Sequence, residues 1–155
     1  MKGNQQIIEK LNFLLADELT AINQYVVHAE MCSNWGYETL HKIIEKRSIE
    51  EMKHAEKIIA RILFLEGQPV VSMLNEIKIG AQVESQLKND RIAEDRAIRS
   101  YNEGIQLALE LGDNGTCQLM ESNLLDEESH IDWIDSQLDQ IMQMGIQNYL
   151  AQQKG

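Results

Sequence analysis

Residues 51–54, Glu-Met-Lys-His, and residues 127–130, Glu-Glu-Ser-His, decide the fold of this chain. Both have the form Glu-x-x-His, and 76 positions separate Glu51 from Glu127 and His54 from His130. The same offset carries Glu18 onto Glu94, Tyr25 onto Tyr101 and Gly36 onto Gly112, and superimposes Leu11 on Leu87, Ile22 on Ile98 and Ile58 on Ile134. The chain therefore reads as a duplicated helical hairpin. Each half gives one carboxylate from its first helix and a Glu/His pair from its second. Four carboxylates and two imidazoles are the inventory of a dinuclear metal site inside a four-helix bundle.

Apolar residues recur every three or four positions around these groups, as in helices with one buried face. The spacing predicts helix A over about 5–34, B over about 38–66, C over about 81–111 and D over about 115–144. A short fifth helix E follows over about 146–153. Glu18, Arg47, Glu51, His54, Asp90, Glu94, Glu127 and His130 fall on the apolar stripes. Gly36 and Gly112 stand where left-handed caps end A and C, and Gly67 with Pro69 stops B. Between Gly67 and Gly80 lies the one long connection, about 14 residues. Extended, it reaches about 46–50 Å, more than the roughly 40 Å of a 27-residue helix. It can cross the bundle and set C parallel to B, so the expectation is an all-α, ferritin-like bundle in a single domain spanning 1–155.

Composition bounds the function. With 155 residues, 25% charged and 43% hydrophobic, the chain can bury a substantial core. A formal net charge of −11 disfavours nucleic acid and anionic membrane and favours cations. No apolar run approaches about 18 residues, and the opening MKGNQQ has no signal-peptide character. Two cysteines, Cys32 and Cys117, form no framework, and a reducing cytoplasm with buried free thiols is expected.

A lone Glu-x-x-His is usually a solvated helix face. Glu38-x-x-His41 is read that way, because it lies off the stripe and the offset lands it on Asn114 and Cys117. The other six residues resist that reading. Four carboxylates in a core would cost several kcal/mol each if uncompensated, and Arg47 is one cation against four anions. Two divalent ions neutralise them, and a thiolate-free set suits iron or manganese. The expected pairing has Glu18 and His54 terminal on one metal and Glu94 and His130 on the other, with Glu51 and Glu127 bridging. His28, which the offset maps onto Gly104, is read as an ordinary surface or interface histidine.

The opening MKGNQQIIEKLN, the stretch LADELTAINQY, the run SIEEMKHAEKIIARILFLEG and the segment LLDEESHIDWIDSQL resemble bacterioferritin, from Met1 to Tyr149. The resemblance implies a ferroxidase centre at Glu18, Glu51, His54, Glu94, Glu127 and His130, with two iron ions per subunit. It also implies a 24-subunit shell storing ferric mineral and haem b, one per two subunits, held by Met52 from each partner across a two-fold axis. Fe(II), O2 or H2O2, and an electron-donor ferredoxin for iron release are the implied partners. Asn34, Glu66, Asp132 and Asp139 match residues lining a pore between subunits. Two positions depart from the pattern. Lys46 and Glu50 stand where some members have a histidine and an aspartate at an inner-surface iron site, and a protonated lysine cannot ligate. Ile58 stands where some members carry a tyrosine beside the residues matching Tyr25 and Trp133, so any aromatic electron route is shortened or rerouted. A rubrerythrin-like peroxidase would bring paired Cys-x-x-Cys motifs, which are absent. A non-catalytic haem carrier or helical scaffold would show no stoichiometric iron oxidation.

Overall fold

A computed structural model describes all 155 residues. Four long helices, α1 (Gln5–Asn34), α2 (Glu38–Phe64), α3 (Val83–Glu110) and α4 (Asn114–Met144), are followed by short α5 (Ile146–Ala151) and a 3-10 turn, Gln152–Lys154. Cross-helix bonds fix the directions. Gly3 N–H donates to Leu65 O, whereas His41 near the other end of α2 reaches Ala29 O, so α1 and α2 are antiparallel. Lys10 reaches Glu103 and Gln24 reaches Asp90, so α1 and α3 are antiparallel as well. Helices α2 and α3 therefore run parallel, and the segment between Phe64 and Val83 crosses the bundle.

Three helix ends close in the same way, with an N–H bonding back five residues past a left-handed residue. Tyr37 N–H reaches Cys32 O past Gly36 (φ +83°), and Asp113 N–H reaches Ala108 O past Gly112 (φ +71°). At the end of α2, Gly67 N–H reaches Ile62 O, but the left-handed residue is Glu66 (φ +61°). Gly67 is there for space, since a Cβ would lie 2.8 Å from Ile8 Cγ2 and 3.0 Å from Ile62 Cγ2. Helix α2 thus stops at Phe64, two residues short of the sequence expectation. Helix α3 starts two later, because Gln82 and Ser85 bond reciprocally at its N-terminus.

The crossover is fastened by polar side chains that recur along α1. Asn12 accepts from Val70 N–H and donates to Gln68 O, Thr20 Oγ1 accepts from Asn75 N–H, and Gln24 Oε1 accepts from Lys78 N–H. His28 Nε2 accepts from Gly80 N–H at 3.0 Å. Its Nδ1 therefore carries the hydrogen and donates to Asp90 Oδ1 at 2.8 Å. His28 is fully buried, so the surface or interface reading is corrected. The crossover covers it, and position 104 of the other half, a glycine, gave no sign of a partner.

The core is split in two. One apolar cluster includes Ile7, Leu11, Leu14, Ile58, Ile62 and Met120. The other includes Tyr25, Cys32, Leu40, Leu87, Ile134 and Tyr149, the last supplied by α5. Between them, halfway along the helices, lies a layer of buried carboxylates and imidazoles.

Gly80 is the tightest point of the crossover, because an added Cβ would lie 2.3 Å from Gln86 N, a backbone atom that cannot step aside. Gly80→Ala is expected to destabilise the fold by about 1–3 kcal/mol, read as a lower urea midpoint with an unchanged helical signal.

Candidate metal centre

Glu18 sits on α1, Glu51 and His54 on α2, Glu94 on α3, and Glu127 and His130 on α4. Each falls at mid-helix on the inward stripe, and all six are buried. The structure brings them together as two overlapping groups, Glu18/Glu51/His54/Glu127 and Glu51/Glu94/Glu127/His130. Within each group one ligand-type atom per residue lies within 4.8 Å of the others. Glu51 and Glu127 belong to both. His54 Nδ1 lies 3.5 Å from Glu18, 3.2 Å from Glu51 and 3.0 Å from Glu127. His130 Nδ1 lies 3.0 Å from Glu51, 3.3 Å from Glu94 and 3.8 Å from Glu127. Glu51 turns Oε2 to one imidazole and Oε1 to the other. The two rings stack with centroids 6.5 Å apart.

The donor set fits metal ions. Glu18 Oε2, Glu51 Oε1, Glu94 Oε2, Glu127 Oε1 and His130 Nδ1 are buried and, although close to one another, none makes a well-aligned hydrogen bond. Unpartnered buried acceptors are rare in folded proteins because each carries its full desolvation cost. Five of them converging from four helices define a space that cations would satisfy. The set is all carboxylate and imidazole, suited to iron or manganese.

Protonation compensates where metal is lacking. Burial, then the Glu51 charge, pushes the Glu18 carboxyl well above its usual range, and burial with neighbouring Glu51 and Glu94 does the same for Glu127. Burial also acts to raise Glu51, but hydrogen bonds from Glu18, His130 and His54 outweigh it and hold Glu51 well below the ordinary value. Burial acts to lower both histidines. Bonds to Glu18 and Glu51 overcome it and raise His54 to about 11, and bonds to Glu51 and Glu94 raise His130 to about 10.

Four further groups brace the site. Tyr25 donates its hydroxyl hydrogen to Glu94 Oε1 at 2.5 Å, and Tyr101 donates to Glu18 Oε1 at 2.5 Å. Burial, then the nearby carboxylates, raises both phenols, so each stays a donor. His54 Nε2 faces Asp126 Oδ2 at 2.8 Å, and His130 Nε2 faces Glu50 Oε2 at 2.5 Å. Sequence reasoning missed both carboxylates as partners of the histidines, although the 76-residue offset carries Glu50 onto Asp126.

Lys46 is exposed, 4.0 Å from Glu50. Beside them a cleft of about 170 Å³ opens next to His130, bordered by Arg47 and Trp133. The Arg47 guanidinium lies 5.3 Å from the Tyr25 ring centre, 4.9 Å from that of Trp133 and 3.6 Å from Asp90 Oδ2. Ile58 is buried in the apolar cluster. His41 stays away from the centre, bonded to Ala29 O and Glu45. Met52 lies on the outer face of α2, 45% exposed beside Ile49 at 42%. Asn34, Glu66 and Asp139 are exposed near helix ends, and Asp132 is exposed in the middle of α4.

Because the folded, metal-free imidazoles hold protons that the unfolded chain loses above about 6.5, their contribution is full below that pH. It is lost as pH rises through about 10 to 11. The raised Glu18 and Glu127 push the same way from lower pH. In a chelator, the calorimetric midpoint should fall steadily as pH is raised from about 6.5 to 10, and Zn(II) at pH 7.5 should restore it. A pH-independent midpoint would contradict the geometry.

A family model for the ferritin-like domain matches residues 8–144. The bacterioferritin of Brucella melitensis is 42% identical over 149 residues, covering 96% of this chain and 92% of that protein. The bacterioferritin of Rhodobacter capsulatus is 41% identical over the same coverage. That of Mycobacterium avium is 37% identical over 152 residues, 98% of this chain and 96% of the relative. With the fold, the duplicated ligand set and these matches in agreement, the chain belongs to the bacterioferritin family of ferritin-like proteins.

Proposed function

We propose that this chain is an iron-storage ferroxidase. Two Fe(II) ions bind as substrate between the helices, and their two electrons reduce O2 to H2O2 or H2O2 to water. The observation that supports this reading is the pair of buried groups sharing Glu51 and Glu127, with five unpartnered donor atoms aimed between them. Glu18 with His54 and Glu94 with His130 act as terminal ligands, and Glu51 and Glu127 as bridges. The imidazoles and protonated carboxyls give up their protons as the cations arrive, so binding tightens as pH rises. Tyr101 and Tyr25 hold Glu18 and Glu94 in place by their hydroxyl bonds. No helix is long and apolar enough to cross a membrane, and the charge of −11 suits a cation store.

The shell and haem belong to the same proposal. Twenty-four copies of a 17.8 kDa chain, about 430 kDa, enclose the ferric mineral. Asn34, Glu66, Asp132 and Asp139 line openings between copies, and a ferredoxin-class donor supplies electrons for release. Haem b, one per two subunits, would be held by Met52 from each of two subunits related by a two-fold axis. The outer face of α2 fits that group, since Met52 offers a thioether beside exposed, apolar Ile49. Two thioether ligands would raise the haem potential.

Glu51→Ala removes an oxygen donor from both groups and should abolish rapid oxidation of two Fe(II) per subunit, followed by stopped-flow absorbance. His41→Ala should leave it unchanged. Wild-type kinetics in Glu51→Ala would refute the assignment.

Met52→Leu conserves volume and apolarity. It should remove the low-spin haem spectrum while assembly, read by size exclusion, and iron oxidation persist. An unchanged spectrum at one haem per two subunits would place the ligand elsewhere.

A further inference from the structure

Each histidine of the centre uses both ring nitrogens. Nδ1 faces the carboxylate cluster, and Nε2 faces one carboxylate outside it, Asp126 for His54 and Glu50 for His130. Those two carboxylates are equivalent under the 76-residue repeat, yet each serves the histidine of the opposite half. They differ from the six inner groups in exposure, since Asp126 is 51% and Glu50 36% accessible at the side chain. A partly solvated carboxylate can accept a hydrogen bond without the desolvation cost borne by Glu18 or Glu127. It can therefore hold a hydrogen on Nε2 and leave the Nδ1 lone pair free for a metal. A carboxylate behind a ligating imidazole fixes its tautomer and ring plane and raises its basicity.

We propose that Glu50 and Asp126 are positioning residues, each governing one of the two metal positions, Asp126 through His54 and Glu50 through His130. The inference rests on the dinuclear reading and adds that the two positions can be weakened one at a time. Loss of Asp126 frees the His54 ring to turn and leaves its Nε2–H to water. The Glu18 side of the site then loses affinity while the Glu94 side, braced by Glu50, does not. Loss of Glu50 does the reverse. Lys46, 4.0 Å from Glu50 across one helical turn, forms only a weak surface pair with the carboxylate that orients His130.

The test is a Co(II) titration of the assembled, chelator-stripped protein, followed by visible absorption and calorimetry. Cobalt binds without being oxidised, so affinity is read apart from catalysis. Wild type should take two Co(II) per subunit. Glu50→Ala and Asp126→Ala should each keep one position near wild-type affinity and weaken the other by about 10–100-fold. Glu50→Gln and Asp126→Asn, which retain an acceptor oxygen in the same shape, should lose less. In double variants Asp126→Ala should add nothing to His54→Ala but should weaken His130→Ala further, with the opposite pattern for Glu50→Ala. Glu128→Ala, an exposed acid with no bond to either histidine, controls for loss of negative charge. Wild-type isotherms in both alanine variants would overturn the proposal, as would an equal loss in Glu128→Ala. Fewer than two Co(II) in wild type would overturn the dinuclear reading itself, a separable result.

Discussion

The constraint on which the rest of this structure depends is the burial of four carboxylates halfway along a helical bundle. Leaving an anion unsolvated and unpaired costs several kcal/mol, so every neighbouring feature serves to offset that cost. Histidines raised to about 11 and about 10 act as counter-cations when no metal is bound. Two carboxyls keep their protons, two tyrosines donate hydrogen bonds, and the apolar core is divided into clusters above and below the polar layer. Stability is given up at mid-height so that cations have somewhere to bind.

Much of this was legible in the sequence because both fold and site recur along the chain. Helical periodicity placed the four long helices to within two residues at each end, and the length of the crossover implied parallel α2 and α3. The repeat picked out the six residues and suggested grouping Glu18 with His54 and Glu94 with His130, and the structure places those pairs together around Glu51 and Glu127. What escaped was set by contacts that no period encodes. Helix α2 ends on a left-handed glutamate, with Gly67 kept small by Ile8, a residue 59 positions away. His28 is buried because the crossover lies over it. Asp126 looked like one more acid in an acidic run until the tertiary structure set it against His54.

The two halves are not copies in detail. The crossover runs along α1 and has no counterpart along α3, and at its far end His28, Gln24, Asp90 and Arg47 form a buried polar cluster. At the equivalent places in the other half stand Gly104 and Asn123 instead of His28 and Arg47. Asn123 donates to the Tyr101 hydroxyl, whereas Arg47 lies against the Tyr25 ring. The phenols behind Glu18 and Glu94 therefore feel different fields, and the two groups of carboxylates and imidazoles are inequivalent.

The crossed bracing bears on how such a chain could have arisen. Tyr25 reaches Glu94, Tyr101 reaches Glu18, Asp126 reaches His54 and Glu50 reaches His130, so every brace passes from one hairpin to the other. A single hairpin carries three of the ligand-type residues and none of the groups that hold them. An ancestor of half this length would have had to pair with its twin to build either metal position. A duplication would make that partnership permanent, with the crossover as the join between the two hairpins.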